Sequence, residues 1–286
     1  TILWLTSIFI FIFVQVADSS RVIQFRAKHD ELTGLLKLTA LEDEFIKVTS
    51  ENHFNNFSTV ILKVDFFEAI YISLGYKICD ELINNVSLRI RESTNNIALI
   101  ARGASDSFVL YFFDISPESL EQKIKSLIVE LTEAHIIDDN EINLSVSAGA
   151  ATYRHLDSFN LRLNLQQANV ALEKAKELGG NQFHFYQQSM EDKYNETVTI
   201  RNDLQNALKN DVLEVFYQPV HCLNDSTITG VEALVRWSNG NEWVSPAKFI
   251  PIAETTGQIT QVYYENGIKR STDTFSGEHL KYQMFW

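Results

Sequence analysis

Apolar segments rich in β-branched and aromatic residues alternate with helical patterns between residues 58 and 186, and this alternation restricts the possible folds most. The strand-like segments are 58–67, 97–102, 107–113, 142–153 and 183–186. A short polar turn joins the second of these segments to the third, which predicts a hairpin. Strands that alternate with helices, with one hairpin among them, predict an α/β sandwich built around a mixed sheet.

The segments between the strands carry the periodicity and the end signals of amphipathic helices. After the first strand, apolar residues recur at every fourth position: Ile70, Leu74, Ile78, Leu82 and Val86. Ser116 followed by Pro117 is a helix N-cap with proline at the first helical position. Gly179 predicts the end of a third helix, because glycine readily takes the left-handed conformation that closes a helix.

A chain of 286 residues leaves room for two domains. The polar stretch 189–203 predicts a linker, placed at 191–197, that enters a new helix. Two further strand-like segments follow, at 213–220 and 228–237. We therefore place the domain boundary near residue 195.

The first 17 residues are nearly all apolar or weakly polar, and they predict the end of a membrane helix. Residues 18–28 form a predicted linker whose basic residues Arg21, Arg26 and Lys28 indicate that the chain after them faces the cytoplasm. A signal-peptide remnant is the alternative, although no basic region precedes the apolar stretch.

The charge of the chain argues against a broad nucleic-acid-binding face. Its formal net charge is -13, whereas phosphate contacts require clustered Lys and Arg. The two cysteines, Cys79 and Cys222, are far apart and lack the spacing of a zinc site or of a disulfide framework. We expect no nucleic-acid partner and a reducing compartment.

Several ordered motifs carry a family resemblance: HDELTGL (29–35), LKVDFFEAIYISLGYKICDEL (62–82), ARGASDSF (101–108), LSVSAGAATY (144–153) and ANVALEKAKELGGN (168–181). Further motifs are FYQPV (216–220), GVEALVRW (230–237) and VSPAKFIPIAETTG (244–257). Their order resembles the GGDEF domain of diguanylate cyclases followed by an EAL domain of cyclic-di-GMP phosphodiesterases. The resemblance implies a GGDEF-type sandwich with a ferredoxin-like core over 29–190 and the start of a TIM-like EAL barrel over 198–286.

In the GGDEF family the signature turn consists of a glycine pair, an acidic pair and a phenylalanine. The aligned residues here are Ala104, Ser105, Asp106, Ser107 and Phe108. The family uses the glycines to bring backbone amides close to GTP phosphates, and it uses the acidic residues for Mg²⁺ and catalysis. The resemblance therefore implies a degenerate, inactive cyclase turn in which only Asp106 is left as a metal ligand.

Lys63 occupies the position where the family has a second metal-binding Asp. Because Lys63 and Asp106 fall on adjacent strands, we expect the lysine ammonium to pair with Asp106 in the former metal site. The alternative is that Lys63 turns to solvent and Asp106 only caps the hairpin.

Other positions of the vestigial nucleotide site differ in how well they match the family. Tyr71 stands where the family reads guanine with an Asn, and Gly180 stands where an Arg meets phosphate. Asp80 and Lys176 match the family. The resemblance leaves GTP binding open and implies no cofactor for this domain.

In the EAL segment the resemblance implies that Glu232 binds a metal, that Gln218 contacts cyclic di-GMP and that Arg236 holds a phosphate. A carboxylate close to a guanidinium suits a phosphodiester with a bound divalent metal, here Mg²⁺ or Mn²⁺ in the parent protein. The family draws its other metal ligands from later strands that this sequence lacks. We therefore expect no hydrolysis of cyclic di-GMP by the chain as given.

The resemblance implies a cyclic-di-GMP signalling protein anchored in the bacterial inner membrane with both domains cytoplasmic. An inactive cyclase domain would regulate an EAL domain that, in the full-length parent, cleaves cyclic di-GMP to pGpG. The alternative is a non-enzymatic regulator, either a cyclic-di-GMP receptor or a regulator of RNA turnover, with both domains degenerate. GTP and a second copy of the chain are further partners that the resemblance leaves open.

Overall fold

The computed structural model describes residues 23–95, 98–138, 140–156, 159–223, 226–240, 242–256, 263–265 and 268–271. Contacts between residues divide the chain into two compact units, Thr1–Glu191 and Asp192–Trp286. No described helix is both long enough and apolar enough to cross a bilayer. The membrane helix predicted at 1–17 lies outside the described residues.

The first unit is a six-stranded sheet covered by helices. Its elements are β1 (Leu36–Lys37), α1 (Leu38–Glu51), β2 (Phe57–Val64), α2 (Phe67–Thr94), β3 (Ala98–Arg102), β4 (Ser107–Phe113), α3 (Pro117–Thr132), β5 (His135–Ile137), β6 (Asn140–Ile142), β7 (Val146–Tyr153), α4 (Leu161–Glu177) and β8 (Phe183–Phe185). The sheet order is β1-β3-β4-β2-β7-β8, and β5 pairs with β6 as a separate hairpin. Strands β1 and β8 add in parallel to an otherwise antiparallel sheet.

The central strand β2 is buried on both faces, so its side chains enter two different cores. Val60, Leu62 and Val64 pack in a cluster with residues of α2 and α3. Phe57 and Ile61 pack in a second cluster with residues of α1 and α4. The two clusters confirm the predicted α/β sandwich with helices on both faces of a mixed sheet.

The second unit begins within helix α5 (Gln188–Lys209). It continues through β9 (Leu213–His221), β10 (Ile228–Asn239), β11 (Glu242–Val244), α6 (Pro246–Thr255), β12 (Tyr263–Glu265) and β13 (Ile268–Ser271). Strands β9, β10 and β11 form an antiparallel sheet. The buried core of this unit is small and consists of Leu204, Ala207, Leu213, Trp237, Phe249 and Ala253.

Several local signals agree with the structure. The predicted hairpin is formed by β3 and β4, and Ser116 caps α3 by accepting a hydrogen bond from the Ser119 amide. After α4 ends at Glu177, Gly179 has a φ of +110°, which only glycine adopts readily. Turn and cap signals succeed here because they act over a few residues.

Other segments differ from the sequence expectation. The strand predicted over 142–153 begins only at Val146, and residues 140–142 belong to the separate hairpin. The helix predicted through Leu74 and Ile78 is kinked at Gly75, whose φ of +79° and ψ of 172° are not helical. Both differences depend on packing partners and backbone geometry that apolar periodicity does not report.

The segment 191–197, expected to be a linker, lies inside α5, and residues 23–28 of the first expected linker are also helical. Thr197 Oγ1 and Thr199 Oγ1 each donate to a carbonyl oxygen four residues earlier. The polar composition of this stretch therefore marks a solvated helix rather than a break in secondary structure.

Candidate vestigial nucleotide site and EAL strand face

Lys63 and Asp106 meet where β2 ends beside the start of β4. The antiparallel register pairs Lys63 with Ser107, the residue after Asp106. Lys63 Nζ lies 3.7 Å from Asp106 Oδ1, and the side chain of Asp106 is only 12% exposed. The predicted ion pair is therefore confirmed, and it accounts for the Asp106 carboxylate at a largely buried position.

The turn before β4 is closed by its own hydrogen bonds. The Ser107 amide and Ser107 Oγ both donate to the Ala104 carbonyl, at 3.0 and 2.9 Å, and the Gly103 amide donates to the Ser107 carbonyl at 2.8 Å. Ser105 has a φ of +49°, in the region that favours glycine. This backbone retains a conformation suited to glycine although position 105 now carries a side chain.

Asp65 is an anchoring residue that the sequence analysis missed. Its side chain is buried, and Oδ2 accepts hydrogen bonds from Ser145 Oγ, from Ser147 Oγ at 2.9 Å and from the Asn181 amide at 3.1 Å. An acidic residue directly after a buried strand and two residues beyond Lys63 is the signal that could have identified it. Asp65 connects the end of β2 to β7 and to the loop after α4.

A pocket of about 370 Å³ lies at this end of the sheet. Lys63, Asp65, Asp106, Lys176 and Gly180 are among the residues that line it. Lys176 Nζ is 3.0 Å from Glu173 Oε1, so this lysine is already partnered within α4. The structure brings Lys63, Asp106 and Lys176 together, as the resemblance implies for a nucleotide site.

Gly180 limits what the loop after α4 can carry. Its φ is +73°, and a Cβ built on it would lie 3.0 Å from Asp65 Oδ2. A side chain at position 180 would therefore require both a strained backbone and a shift of the buried Asp65 carboxylate. The arginine that the resemblance expects there does not fit this loop without rearrangement.

Tyr71 and Asp80 lie on α2, on opposite sides of the Gly75 kink. Tyr71 is exposed and lines a pocket of about 400 Å³ with Lys63 and Asp106. Asp80 is exposed and lines a different pocket of about 650 Å³, which includes Ser105. These two residues of the vestigial nucleotide site therefore border the turn from two separate pockets.

A polar cluster joins the segment before β1 to the same turn. Asp30 Oδ1 accepts hydrogen bonds from the Thr33 amide and hydroxyl and from Arg102 Nη1 at 3.0 Å. Arg102 Nη2 donates to the Ser105 carbonyl at 2.9 Å. Burial raises the pKa of Asp30, but the Thr33 and Arg102 interactions outweigh it and leave that pKa below the usual 3.8.

In the second unit, Gln218, Glu232 and Arg236 lie on one face of the β9–β10 ribbon. Glu232 is directly opposite Gln218, and Arg236 is directly opposite Glu214. Directly opposed residues share a face, and so do residues two or four apart along one strand, so all four side chains lie on the same face of the ribbon. The Arg236 guanidinium lies 5.9 Å from the centre of the Phe216 ring. This arrangement places a carboxylate, an amide and a guanidinium along one exposed strand face.

The donor sets differ in how well they fit a divalent metal. Mg²⁺ takes oxygen ligands, and at the turn one of the two family positions carries the Lys63 ammonium instead. Among the residues that the structure describes, no group of three or more His, Cys, Asp or Glu side chains converges as a metal site. The turn therefore does not fit the metal, whereas Glu232 is exposed and could supply one oxygen ligand.

Comparisons with known proteins identify two family matches along the chain. Residues 27–182 match the family described as "Diguanylate cyclase, GGDEF domain", and residues 201–270 match "EAL domain". The chain is 29% identical over 250 residues to the bifunctional diguanylate cyclase/cyclic di-GMP phosphodiesterase MucR of Pseudomonas aeruginosa, covering 86% of this chain and 36% of MucR. It is 28% identical over 239 residues to the cyclic di-GMP phosphodiesterase NbdA of the same organism, covering 82% of this chain and 30% of NbdA.

Solved structures share the fold. The S helix-GGDEF-EAL structure of Vibrio cholerae LapD, bound to c-di-GMP, has a TM-score of 0.54 at 18% identity and covers 85% of this chain and 57% of LapD. The chain spans about a third of the length of the curated relatives it matches. The family match over 27–182 covers more than half of the chain. The chain belongs to the GGDEF domain family and carries EAL domain sequence after it, which is the architecture of cyclic-di-GMP signalling proteins.

Proposed function

We propose that this chain is part of a cyclic-di-GMP signalling protein whose GGDEF domain synthesises no cyclic di-GMP and instead regulates the EAL domain. The observation that carries the proposal is the Lys63–Asp106 ion pair at the end of β2. The pair places the Lys63 ammonium where GGDEF domains bind a metal ion. We infer a regulatory role because the GGDEF domain keeps its fold although it would lack the cyclase reaction.

The ion pair opposes metal binding through electrostatics. Two unit positive charges 4 Å apart repel by about 4 kcal/mol near a protein surface, and a divalent ion would be repelled more strongly. Lys63 Nζ also neutralises Asp106, the one acidic residue of the turn that remains. Mg²⁺ would therefore have to displace the ammonium from Asp106, while Oδ2 of the neighbouring Asp65 already accepts three hydrogen bonds.

The turn itself adds a second obstacle. Phosphate oxygens bind where glycines let the backbone approach closely, whereas Ala104 and Ser105 carry side chains in this turn. The Ser107 hydroxyl donates a hydrogen bond to the Ala104 carbonyl, and it supplies neither the negative charge nor the base that a carboxylate would offer a substrate. The GGDEF turn thus acts as a structural hairpin turn.

The EAL segment carries the enzymatic part of the proposal. Gln218 and Arg236 would contact cyclic di-GMP, and Glu232 would bind Mg²⁺ or Mn²⁺, whose role is to activate the water that cleaves the phosphodiester. A guanidinium suits this role because it forms paired hydrogen bonds to a phosphate. In the whole protein, with the rest of its EAL domain, we expect hydrolysis of cyclic di-GMP to pGpG.

We also propose that residues 1–17 anchor the protein in the bacterial inner membrane, with both domains in the cytoplasm. The support is the run of apolar residues in that segment and the basic residues that follow it. Fractionation of cells that express the chain tests this proposal. Recovery in the soluble fraction after removal of residues 1–17, but not before, is the expected result.

The cyclase part is tested by incubating the 286-residue chain with GTP and either Mg²⁺ or Mn²⁺ and separating the nucleotides chromatographically. We expect no cyclic di-GMP above a protein-free control. An active GGDEF protein in the same buffer controls for the assay. Formation of cyclic di-GMP by this chain would overturn the proposed inactivity.

A non-enzymatic regulator is the second candidate, and the degenerate turn of the first domain is the observation that favours it. The two candidates differ in what the EAL domain does with cyclic di-GMP. Calorimetric binding without hydrolysis, measured on the protein with its whole EAL domain, supports a receptor. Metal-dependent conversion to pGpG that is lost in Glu232→Gln supports the phosphodiesterase.

A further inference from the structure

Arg89 connects α2 to the end of α3. Its Nη1 donates to the carbonyls of Glu130 at 2.9 Å and Glu133 at 2.7 Å, and its Nη2 donates to the carbonyl of Ala134 at 2.9 Å. The last carbonyls of a helix lack partners within the helix and carry partial negative charge. One guanidinium from a different helix therefore satisfies the C-terminal end of α3.

His135 lies directly against this guanidinium, at the start of β5. The residue is 1% exposed, and its Nε2 lies 3.2 Å from Arg89 Nη1 and 3.0 Å from the Leu131 carbonyl. Within the described parts of the chain, the buried Nδ1 has no hydrogen-bond partner. The imidazole thus has one occupied nitrogen, one buried nitrogen without a partner, and a permanent cation beside it.

Only a neutral ring suits this environment. With the proton on Nε2, the ring donates to the Leu131 carbonyl and leaves a bare lone pair on Nδ1. A second proton would create a buried N–H without an acceptor and a positive charge beside Arg89. Burial lowers the pKa of His135 and the Arg89 charge lowers it further, whereas the bond to Leu131 opposes them and is outweighed.

The other charged groups around His135 do not offset this effect. Glu130 and Glu133 present carbonyls to Arg89, and the Glu130 carboxylate accepts a hydrogen bond from Ser126 Oγ instead. On the facing strand β6, the apolar Ile142 pairs with His135, while Glu141 is exposed. No described carboxylate therefore forms an ion pair with His135.

We propose that His135 and Arg89 form an acid-sensitive latch that fastens the end of α3 and the β5–β6 hairpin to α2. Protonation of His135 favours the open form, in which the imidazolium reaches water and Arg89 separates from it. The folded ring resists protonation and the open ring does not, so opening becomes more favourable as pH falls below 6.5, the ordinary pKa of histidine. Lys77 Nζ, 2.9 Å from Asp138 Oδ2, adds an ionic link between the hairpin and α2.

A first test needs no substitution. The imidazole signals of His135 in the 286-residue chain are followed by NMR as pH is lowered from 8 to 5. The expected result is a midpoint below 6.5, accompanied by shifts in the amides of 130–142. A midpoint at or above 6.5 would overturn the proposal, because the latch requires a neutral ring in the folded protein.

The second test measures opening directly. Hydrogen exchange of residues 130–142, corrected for the intrinsic effect of pH, is compared at pH 7.5 and 5.5. A group that has a pKa near 6.5 only when open raises the opening constant about tenfold over this range. We expect that increase in the wild type and in His53→Gln, an exposed control, but not in His135→Gln. An equal increase in His135→Gln, or no increase in the wild type, contradicts the latch.

Discussion

At the scale of single residues, Lys63 places an ammonium at the end of β2, where it pairs with Asp106. An aspartate at this position would add a second oxygen ligand beside Asp106, whereas the ammonium instead occupies that space at 3.7 Å from Asp106 Oδ1. The pair also stabilises a carboxylate that is largely removed from water. The identity of residue 63 thus gives this end of the sheet an internal ion pair.

The first prediction concerns the strength of that pair. A double-mutant cycle of Lys63→Met and Asp106→Asn, read from urea unfolding, should give a favourable coupling of about 0.5–1 kcal/mol, because Lys63 is partly solvated. Lys77→Met with Asp138→Asn provides a control pair in which both side chains are exposed, and we expect a smaller coupling there. A coupling of zero for the first pair would show that the contact contributes no stability.

Asp65 stabilises the same end of the sheet by a different means. Its carboxylate satisfies two hydroxyls and one backbone amide that belong to β7, to the residues just before it and to the loop after α4. We predict that Asp65→Ala lowers the free energy of unfolding by about 3 kcal/mol, since buried donors lose their acceptor. The exposed Asp80→Ala should change it by less than about 0.5 kcal/mol. Equal effects of the two substitutions would show that Asp65 is not the anchor.

At the scale of elements, the kink of α2 separates two helical segments with different tasks. The first segment carries Tyr71 towards the pocket beside Lys63, and the second carries Asp80 and, further on, Arg89. Gly75 makes the change of direction possible, because its φ of +79° with ψ of 172° is accessible to glycine and costly for other residues.

The third prediction follows from this backbone conformation. Gly75→Ala should destabilise the protein by about 1–3 kcal/mol through backbone strain alone, because a Cβ at this position meets no atom within 4 Å. Ser73→Ala, at an exposed position in the same helix, should change stability by less than about 0.5 kcal/mol. Thermal and urea unfolding measure both variants. A neutral Gly75→Ala would mean that the kink can be refolded into a continuous helix without cost.

At the scale of the whole molecule, the net charge of -13 sets the range of possible partners. Cyclic di-GMP is itself an anion, so the binding proposed above requires a local arrangement of donors, for which the strand face that carries Gln218 and Arg236 is the candidate. A long polyanion such as DNA contacts a larger area of the surface, so the net negative charge repels it.

The fourth prediction follows from that field. Duplex DNA should show no mobility shift at protein concentrations up to about 100 μM in 0.15 M salt, because non-specific binding depends on phosphate neutralisation by Lys and Arg. A basic DNA-binding protein in the same gels serves as the positive control. A salt-dependent shift with this chain would reveal a basic patch that its overall charge conceals.

Much of the fold could be predicted because its signals are local or periodic. The strands β2, β4 and β8 and the cap of α3 follow from apolar patterns and turn chemistry that act within a few residues. The β5–β6 hairpin and β1 were not predicted, since these strands of two or three residues lack the pair of phenylalanines that marks the equally short β8. The Arg89 cap of α3 was also missed, because its partners are more than forty residues away in the chain.

Residue identities alone were enough to recognise the family, the side chains that stand where the family has a glycine pair and a second acidic residue, and the lysine where the resemblance expects an aspartate. These features can be read directly from which residue stands at each position of the motifs. Only the tertiary structure decided that Lys63 reaches Asp106, that Asp65 anchors the loop beside Gly180, and that His135 is buried against Arg89. Each of these depends on side chains that are remote in sequence and are brought within about 4 Å by the register of strands and the packing of helices, which no local pattern encodes.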